Sequence, residues 1–204
     1  VCAMKSLDMM LAAIQPPDRA AMDAARAHQA RLAKPPGSLG RLEDLSVQLA
    51  GITGQVHNRM DKKHLLVFAS DNGVVAEGVS SAPQSVTLQQ TLNLTRAKTG
   101  AAVLARHFGC RITVCDVGVN ADIRDAAVVG RKIARGTQNI ACGPAMSREQ
   151  ALTAIATGFT LAAETDADVL GIGEMGIGNT TTSSAVLAAL LPADVEAVTG
   201  RGGG

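Results

Sequence analysis

The sequence predicts an α/β protein in which helices pack closely on a parallel β-sheet, and three observations support this prediction. Short apolar runs of strand length alternate along the chain with longer segments of helical periodicity. Two of these runs lead into an acidic residue and a nearby glycine, as expected where a parallel strand reaches a ligand-binding edge. The core must be aliphatic, because the 204 residues include 21 glycines and 3 phenylalanines but no tryptophan or tyrosine.

Residues 1–58 are predicted to form a helical segment that belongs to a smaller domain. Helical periodicity extends over residues 4–52, and an alanine-rich helix is expected to begin at Asp18. A rigid Pro-Pro turn at 34–38 interrupts this pattern, and a second helix is expected from Leu39 onward. The leucines of that second helix, spaced three and four residues apart, are Leu42, Leu45 and Leu49.

Residues 59–204 are predicted to form the α/β domain, a Rossmann-like parallel sheet flanked by helices. A capping box formed by residues 147–150 is expected to start one of its helices. The expected strands are 65–70, 111–116, a weaker one at 128–134, 169–173 and 195–199, and the expected helices are 84–107 and 151–163.

Composition excludes several classes of protein. The formal charge of +1, from 19 basic and 18 acidic residues, gives no electrostatic footprint for nucleic acid, and the scarcity of aromatic residues removes stacking platforms for bases. No apolar run approaches the ~20 residues of a membrane span, and the N-terminus lacks a signal-peptide layout. We therefore expect a cytoplasmic protein without nucleic-acid or membrane partners.

Cysteine and histidine spacing gives no metal-binding pattern. The four cysteines contain no C-x-x-C pair and are predicted to be reduced, buried thiols. The four histidines are scattered without H-x-x-H or H-E-x-x-H grouping, so no bound metal is expected. The cysteines are Cys2, Cys110, Cys115 and Cys142, and the histidines are His28, His57, His64 and His107.

The most informative segment lies at residues 168–191, where an apolar run leads through a glycine-rich loop into a hydroxyl-rich helix start. Such a loop lets the backbone approach a ligand, and the first turn of the helix offers N–H groups to an anion. Asn179 or Thr180 is expected to cap the helix. Glu174 is unusual, since a loop that only held phosphate would gain nothing from a negative charge. It indicates chemistry next to a phosphate.

Three interpretations of this loop remain open from spacing alone. Residues 171–176 match the dinucleotide fingerprint G-x-G-x-x-G, which would make the protein a Rossmann-type NAD-binding dehydrogenase. A solvent-facing turn with an exposed Glu174 is the second possibility. A mononucleotide or phosphoribosyl ligand, with the acid near its sugar, fits the mixture of glycines and carboxylate better.

Two further motifs have both a structural and a functional interpretation. Residues 34–43 are typical of a rigid turn followed by the capped start of the next helix, which favours the structural interpretation. Asp71-Asn72-Gly73 and residues 77–80 are typical of turns, but their position after a predicted strand makes a binding role equally plausible.

Six strings in one order across nearly the whole chain resemble the nicotinate-nucleotide:dimethylbenzimidazole phosphoribosyltransferase family. They are K-P-P-G-S-L-G-R-L-E-D-L at 34–45, G-V-V-A-E-G-V-S at 73–80, D-V-G-V at 116–119, G-T-Q-N-I-A-C-G-P-A-M-S-R-E at 136–149, G-E-M-G-I-G-N-T-T at 173–181 and V-T-G-R-G at 198–202. The resemblance implies transfer of the phosphoribosyl group of nicotinate mononucleotide to 5,6-dimethylbenzimidazole, giving nicotinate and α-ribazole 5'-phosphate, the lower-ligand nucleotide of cobalamin. It also implies a homodimer, a smaller domain that gathers helices from both chain ends, and no cofactor or metal.

The resemblance assigns site residues by position in the matching strings. Glu174 and the backbone of Gly176 match the nucleotide-binding loop, Met175 lines the pocket for the aromatic base, and Gln90 flanks that base site. The other residues expected to bind substrate are Pro83, Ile177, Asn179, Thr180, Gly202 and Gly203.

Two departures limit what the resemblance implies. Many members have Asp-His-Gly where this chain has Asp71-Asn72-Gly73, so a histidine role cannot be transferred to Asn72. The family's general-base glutamate is expected beyond residue 204, which leaves Glu174 a supporting electrostatic role. A nucleotide-binding fragment without turnover therefore stays open beside the transferase.

Overall fold

The computed structural model describes residues 7–202 and divides the chain into two compact units. The first unit is Val1–Asp61 and the second is Lys62–Gly204. Three of the predicted positions, Cys2, Met4 and Gly203, lie outside the described residues. Between residues 7 and 202 no helix is both long and apolar enough to cross a membrane.

In the first unit, helix α2 begins at a side-chain cap and helix α3 ends at a left-handed glycine. Helix α1 is Leu7–Ala12, α2 is Arg19–Gln29 and α3 is Arg41–Thr53. The carboxylate of Asp18 caps α2, because its Oδ1 accepts a hydrogen bond from the Ala21 N–H at 3.0 Å. Helix α3 ends at Gly54, whose φ of 71° gives the left-handed conformation common at helix C-termini.

Helices α2 and α3 pack through small side chains rather than through the periodic leucines. Ala25, Val47 and Ala50 are buried in this contact, and a Cβ added to Gly51 would approach Met22 Cγ to 2.8 Å. The predicted helix is confirmed, but its leucines do not form the core of this unit, since Leu42 is 63% exposed. The leucine spacing identified the helix without identifying its buried face.

The second unit contains a four-stranded sheet in its described residues, with strands in the order β3-β2-β1-β4 and every pair parallel. The strands are β1 (Lys63–Ser70), β2 (Cys110–Gly118), β3 (Val128–Gly130) and β4 (Val169–Met175). The predicted α/β sheet is thus confirmed, although β3 is shorter than expected. Strand β4 is longer than expected and includes Glu174, which sequence reasoning had placed in the loop.

Helices cover both faces of the sheet. This is required because successive side chains of β1 point to opposite faces, and apolar side chains lie on both. Val67 of β1 packs with residues of helices α4 (Val86–Thr95) and α5 (Gly100–His107), whereas the neighbouring Leu66 packs with Leu161 of α6 (Arg148–Ala163). The capping box predicted at 147–150 starts α6, since the Ser147 side chain accepts from the Gln150 N–H and the Gln150 side chain accepts from the Ser147 N–H.

Two element predictions are wrong, and local capping explains both. The single helix expected over 84–107 is two helices, because Thr99 caps α5 by accepting from the Ala102 N–H and Ala97 adopts a φ of 51° between them. The strand expected over 195–199 is the one-turn helix α8 (Val195–Val198), whose N-cap Asp194 accepts from the Glu196 N–H. The remaining helices described in the second unit are α7 (Asn179–Leu190) and a 3-10 helix at Gly73–Glu77.

The described cysteines differ widely in exposure, so the prediction of uniformly buried thiols is wrong. Cys115 lies in the core and is 1% exposed, Cys110 is half-buried, and Cys142 is exposed. Burial raises the pKa of the Cys115 thiol to about 11, which keeps it in the unreactive protonated form.

We expect a thiol reagent at pH 8 to modify Cys142 within minutes and to leave Cys115 unmodified until the protein unfolds. The reason is that only an accessible thiolate reacts. Peptide mass mapping after timed quenching identifies the modified residues, and Cys142→Ser should remove one fast-reacting thiol. Rapid modification of Cys115 in the native protein would contradict the buried position of β2.

The surroundings of a buried histidine at the start of β1 favour its neutral form. The Nδ1 of His64 accepts from Arg111 at 3.1 Å, and its Nε2 donates to Thr113 Oγ1 at 2.9 Å. Burial, followed by the nearby Arg111 guanidinium, lowers the pKa of His64, while Asp166 raises it in part.

This lowered pKa predicts that stability falls as the pH drops below about 6.5, the ordinary histidine value. In that range the unfolded chain binds a proton more readily than native His64 does, so protonation favours unfolding. Urea midpoints between pH 7.5 and 5.5 should shift less in His64→Gln than in the unmodified protein. The exposed His107 is the control, and His107→Gln should retain the full pH dependence.

Candidate functional site

The candidate site lies at the carboxyl edge of the sheet, where β1 and β4 end side by side. Strand β1 pairs with β2 on one side and with β4 on the other, so the direction in which the chain adds strands reverses at the β1–β4 pair. In open α/β sheets such a reversal leaves a crevice outside the strand ends, because the following loops diverge. The loops after Ser70 and Met175 flank this position.

The connection from β4 to α7 is only three residues long and consists of Gly176, Ile177 and Gly178. Gly178 is the N-cap of α7, with a φ of 84° that favours glycine, and Asn179 is the first helical residue. The expectation that Asn179 or Thr180 caps the helix is therefore wrong. The left-handed glycine turns the chain directly into the helix, so its first turn starts at the sheet edge.

Glu174 and Asn179 form a pair across this loop. Asn179 donates a hydrogen bond from Nδ2 to Glu174 Oε1, while its own Oδ1 accepts from the Thr180 N–H at 2.8 Å. Glu174 is exposed, so its carboxylate faces solvent beside the N-terminus of α7. The structure thus brings together three predicted site residues, Glu174, Asn179 and Thr180, at the first turn of α7.

Close packing against β1 leaves no room for a side chain at Gly176. A Cβ at this position would overlap with the carbonyl oxygen of Ser70 and lie 2.8 Å from Asn72 Nδ2. Since the clash involves backbone, a small side-chain movement cannot relieve it. Close approach to protein backbone, rather than to a ligand, accounts for this glycine.

Ile177 has both of its backbone groups bound within the protein. Its N–H donates to Thr87 Oγ1 at 3.0 Å, and its carbonyl accepts from Asn72 Nδ2 at 3.1 Å. The N–H predicted to contribute to substrate binding is therefore already used. Sequence reasoning missed Thr87 because a threonine within a helix carries no local signal of a contact 90 residues away.

The dinucleotide interpretation loses its structural basis. The first two glycines of the fingerprint, Gly171 and Gly173, lie inside β4 and pair with Leu65 and Val67 of β1. In a dinucleotide site the glycines form the turn after the strand, so that pyrophosphate can rest on the helix N-terminus. Here that turn contains only the later glycines.

The other predicted residues lie around this loop or in neighbouring elements. Gly202, with a φ of 56°, packs on Thr180, where an added Cβ would overlap with the threonine Oγ1. Met175 packs on the core face that includes Val67. Pro83 is exposed, and Gln90 is a half-buried residue of α4 whose Oε1 accepts from Asn93 at 3.3 Å.

The acids at the ends of β1 and β2 are buried, and each accepts hydrogen bonds that fix a loop. Asp116 is buried, accepts from the N–H groups of Gly118 and Val119, and forms an ion pair with Lys132 at 2.8 Å. Asp71 is also buried, and its Oδ2 accepts from the Asn120 N–H at 2.7 Å. Both carboxylates therefore stabilise the 119–120 turn.

A cavity of about 290 Å³ lies beside the ends of β1 and β2. Residues of the motif at 136–149 line one side of this cavity. Two hydrogen bonds join the motif to the loop after β1, since Thr137 Oγ1 accepts from the Gly73 N–H and Asn139 donates to Glu77 at 2.6 Å. The lining combines apolar and uncharged polar groups, including Ser70, Asn72, Val117, Thr137 and Met146. Among residues 7–202 no cluster of three or more potential metal ligands occurs.

In the first unit, the motif at 34–43 is closed by an ion pair. Lys34 Nζ donates to Glu43 Oε1 at 2.6 Å, and the same oxygen accepts from the Leu39 N–H at 3.1 Å. The hydrogen bond from Lys34 lowers the pKa of Glu43. These contacts support the structural interpretation of the motif as a rigid turn before α3.

Comparison with known proteins agrees with this architecture. The family described as phosphoribosyltransferase matches residues 14–204. The nicotinate-nucleotide–dimethylbenzimidazole phosphoribosyltransferase of Clostridium perfringens is 51% identical over 176 residues, covering 85% of this chain and 49% of the relative. The enzyme of the same name from Desulforudis audaxviator is 50% identical over 195 residues, covering 94% of this chain and 55% of the relative.

A solved structure shares the fold. The crystal structure of CobT from Thermus thermophilus superposes with a TM-score of 0.86 at 41% identity, covering 91% of this chain and 57% of that one. The chain spans about half the length of the curated relatives it matches. With these matches extending over nearly all of its residues, the chain belongs to the nicotinate-nucleotide–dimethylbenzimidazole phosphoribosyltransferase family.

Proposed function

We propose that the full-length protein transfers the phosphoribosyl group of nicotinate mononucleotide to 5,6-dimethylbenzimidazole, as the names of its relatives state for them. The products are nicotinate and α-ribazole 5'-phosphate, the lower-ligand nucleotide of cobalamin. The observation that carries the proposal is the pair of Glu174 and Asn179, which puts a carboxylate beside the N-terminus of α7 at the sheet edge. Phosphoribosyl transfer uses both features, an anion site for the phosphate and a negative charge that opposes positive charge on the ribosyl ring.

The phosphate of the nucleotide is proposed to bind at the first turn of α7. The dipole of α7 attracts anions to its N-terminus. The Thr180 N–H is already bound to Asn179 Oδ1, so the dipole rather than this N–H supports the assignment. Gly176, Asn179, Thr180, Gly202 and Gly203 are the proposed phosphate-side residues, and the contact between Gly202 and Thr180 supports grouping them.

Glu174 is proposed to stabilise positive charge on the ribosyl ring. As the bond from C1' to the nicotinate nitrogen breaks, its electron pair goes to the pyridinium ring, which becomes neutral, and C1' gains oxocarbenium character. A benzimidazole nitrogen then forms the new bond to C1', and the other ring nitrogen loses its proton to a base. The carboxylate beside C1' opposes the developing positive charge, while the general-base glutamate is expected beyond residue 204.

The aromatic base is proposed to bind against α4 and the end of β4. Gln90, Pro83 and Met175 are the proposed contacts, and a short distance between this region and the phosphate site is supported by the hydrogen bond from Ile177 to Thr87 of α4. The parallel strand order supports a Rossmann-like sheet. We further propose a cytoplasmic homodimer that needs no cofactor, in which residues 1–58 contribute to the smaller domain.

The test is incubation of the full-length protein with nicotinate mononucleotide and 5,6-dimethylbenzimidazole, with products separated by chromatography and identified by mass. Equal amounts of nicotinate and α-ribazole 5'-phosphate are expected. Absence of a phosphoribosylated product with any benzimidazole or purine base would refute the proposal. Calorimetric titration of the 204-residue chain with the nucleotide tests the alternative of binding without turnover.

A further inference from the structure

We propose that Thr87 is a positioning residue, which holds the loop of Gly176, Ile177 and Gly178 against the helix that carries Gln90. This inference rests on the proposed function, because the loop and the helix are the proposed sites of the phosphate and of the base. Thr87 itself does not touch substrate. It acts through the peptide group of Ile177.

Burial and geometry support this assignment. Thr87 is 0% exposed, and its Oγ1 accepts from the Ile177 N–H at 3.0 Å. On the other side of the loop, Asn72 donates to the Ile177 carbonyl and accepts from the Thr182 hydroxyl at 3.1 Å. Elements distant in sequence, α4 and the loop after β1, thus bind the same residue from two directions.

The loop needs such external contacts because of its composition. Ile177 lies between two glycines, and glycine has the largest backbone freedom of any residue. Packing of Gly176 on Ser70 fixes one end, and the left-handed conformation of Gly178 starts α7 at the other end. The hydrogen bond to Thr87 fixes the peptide between them and hence the direction of the first turn of α7.

The same contact connects the proposed phosphate site at α7 with the proposed base site at α4. Gln90 follows Thr87 by three residues and lies on the same side of α4, since residues three apart are neighbours on a helix surface. The hydrogen bond that the Ile177 N–H donates to Thr87 therefore holds the proposed phosphate site close to the proposed base site. When this hydrogen bond is lost, binding of the nucleotide must order the loop, so the loss is expected mainly as weaker binding.

Helix α4 offers a matched control in Thr91. This threonine is one turn further along α4 and is equally buried, but its hydroxyl donates to the Thr87 carbonyl at 2.7 Å and stays within the helix. Replacing Thr91 by valine removes a buried hydroxyl without removing a loop contact. Replacing Thr87 by valine removes the acceptor of the Ile177 N–H at nearly constant volume.

We expect Thr87→Val to raise KM for nicotinate mononucleotide roughly tenfold, the effect of losing one buried hydrogen-bond partner, and to change kcat less than about threefold. Thr87→Ser should restore KM, and Thr91→Val should leave both constants near those of the unmodified protein. Equal effects of Thr87→Val and Thr91→Val would overturn the proposal. If Thr87→Val does not fold, Thr87→Ala makes the same comparison.

A second readout separates this inference from the proposed function. Hydrogen–deuterium exchange of the peptide containing Ile177 should be faster in Thr87→Val than in Thr91→Val or the unmodified protein, with or without turnover. Absence of product from the unmodified protein would refute the transferase proposal alone. Unchanged exchange at Ile177 in Thr87→Val would refute the positioning role alone.

Discussion

Replacing Gly176 by alanine is expected to destabilise the second unit by on the order of 1–3 kcal/mol, the usual cost of overpacking a tight site. The new Cβ would overlap with the Ser70 carbonyl oxygen at the end of β1 and crowd the Asn72 amide. Either β4 moves away from β1 or the loop takes another path, and both changes disturb the first turn of α7. Urea unfolding followed by far-ultraviolet circular dichroism measures the loss, since the chain has no tryptophan or tyrosine to report by fluorescence.

Gly173→Ala is the matched control within the same strand. A Cβ at Gly173 would approach Val67 Cγ2 to 3.6 Å, an ordinary van der Waals contact, and its backbone conformation suits an L-residue. The free energy of unfolding of this variant should lie within about 1 kcal/mol of that of the unmodified protein, because alanine lowers the entropy of the unfolded chain and makes no clash in the folded one. Equal midpoints for the two alanine variants would show that Gly176 does not pack on β1 as described.

The order of strands and helices was largely predictable, because each strand of the second unit is a compact apolar run and several helices have recognisable caps. The capping box at 147–150 illustrates this, since both of its hydrogen bonds join residues only three positions apart. The two wrong element predictions also arise from local capping. The strand predicted at 195–199 and the unbroken helix predicted at 84–107 both ignored a capping side chain, Asp194 in one and Thr99 in the other.

The site was predictable in outline but not in its contacts. A glycine-rich loop with an acid before a hydroxyl-rich helix start indicated an anion site, and the structure brings Glu174 and Asn179 together there. Whether a given backbone group faces ligand or protein depends on partners elsewhere in the chain. The N–H of Ile177 is bound to Thr87, and Asp116 is paired with Lys132, both through contacts that no local pattern encodes.

Glu174→Gln is expected to lower kcat about 10²- to 10³-fold, the usual effect of removing one group that stabilises transition-state charge. Glutamine keeps an oxygen that can accept from Asn179, so the loop should keep its geometry. KM for nicotinate mononucleotide should stay constant or fall, because the substitution removes a negative charge near a bound phosphate. This pattern is the opposite of that expected for Thr87→Val, in which KM rises and kcat changes little.

Glu164→Gln supplies the control for the loss of one negative charge. Glu164 is exposed at the C-terminal end of α6, and a helix that returns the chain to the start of a parallel strand ends at the opposite edge of the sheet from the site. Its kinetic constants should match those of the unmodified protein. If Glu174→Gln lowered kcat no more than Glu164→Gln, the carboxylate would have no electrostatic role, and catalysis would depend on substrate positioning and on the base expected beyond residue 204. The kcat of the two variants, measured under saturating nucleotide and base, therefore decides whether charge at the end of β4 contributes to the reaction.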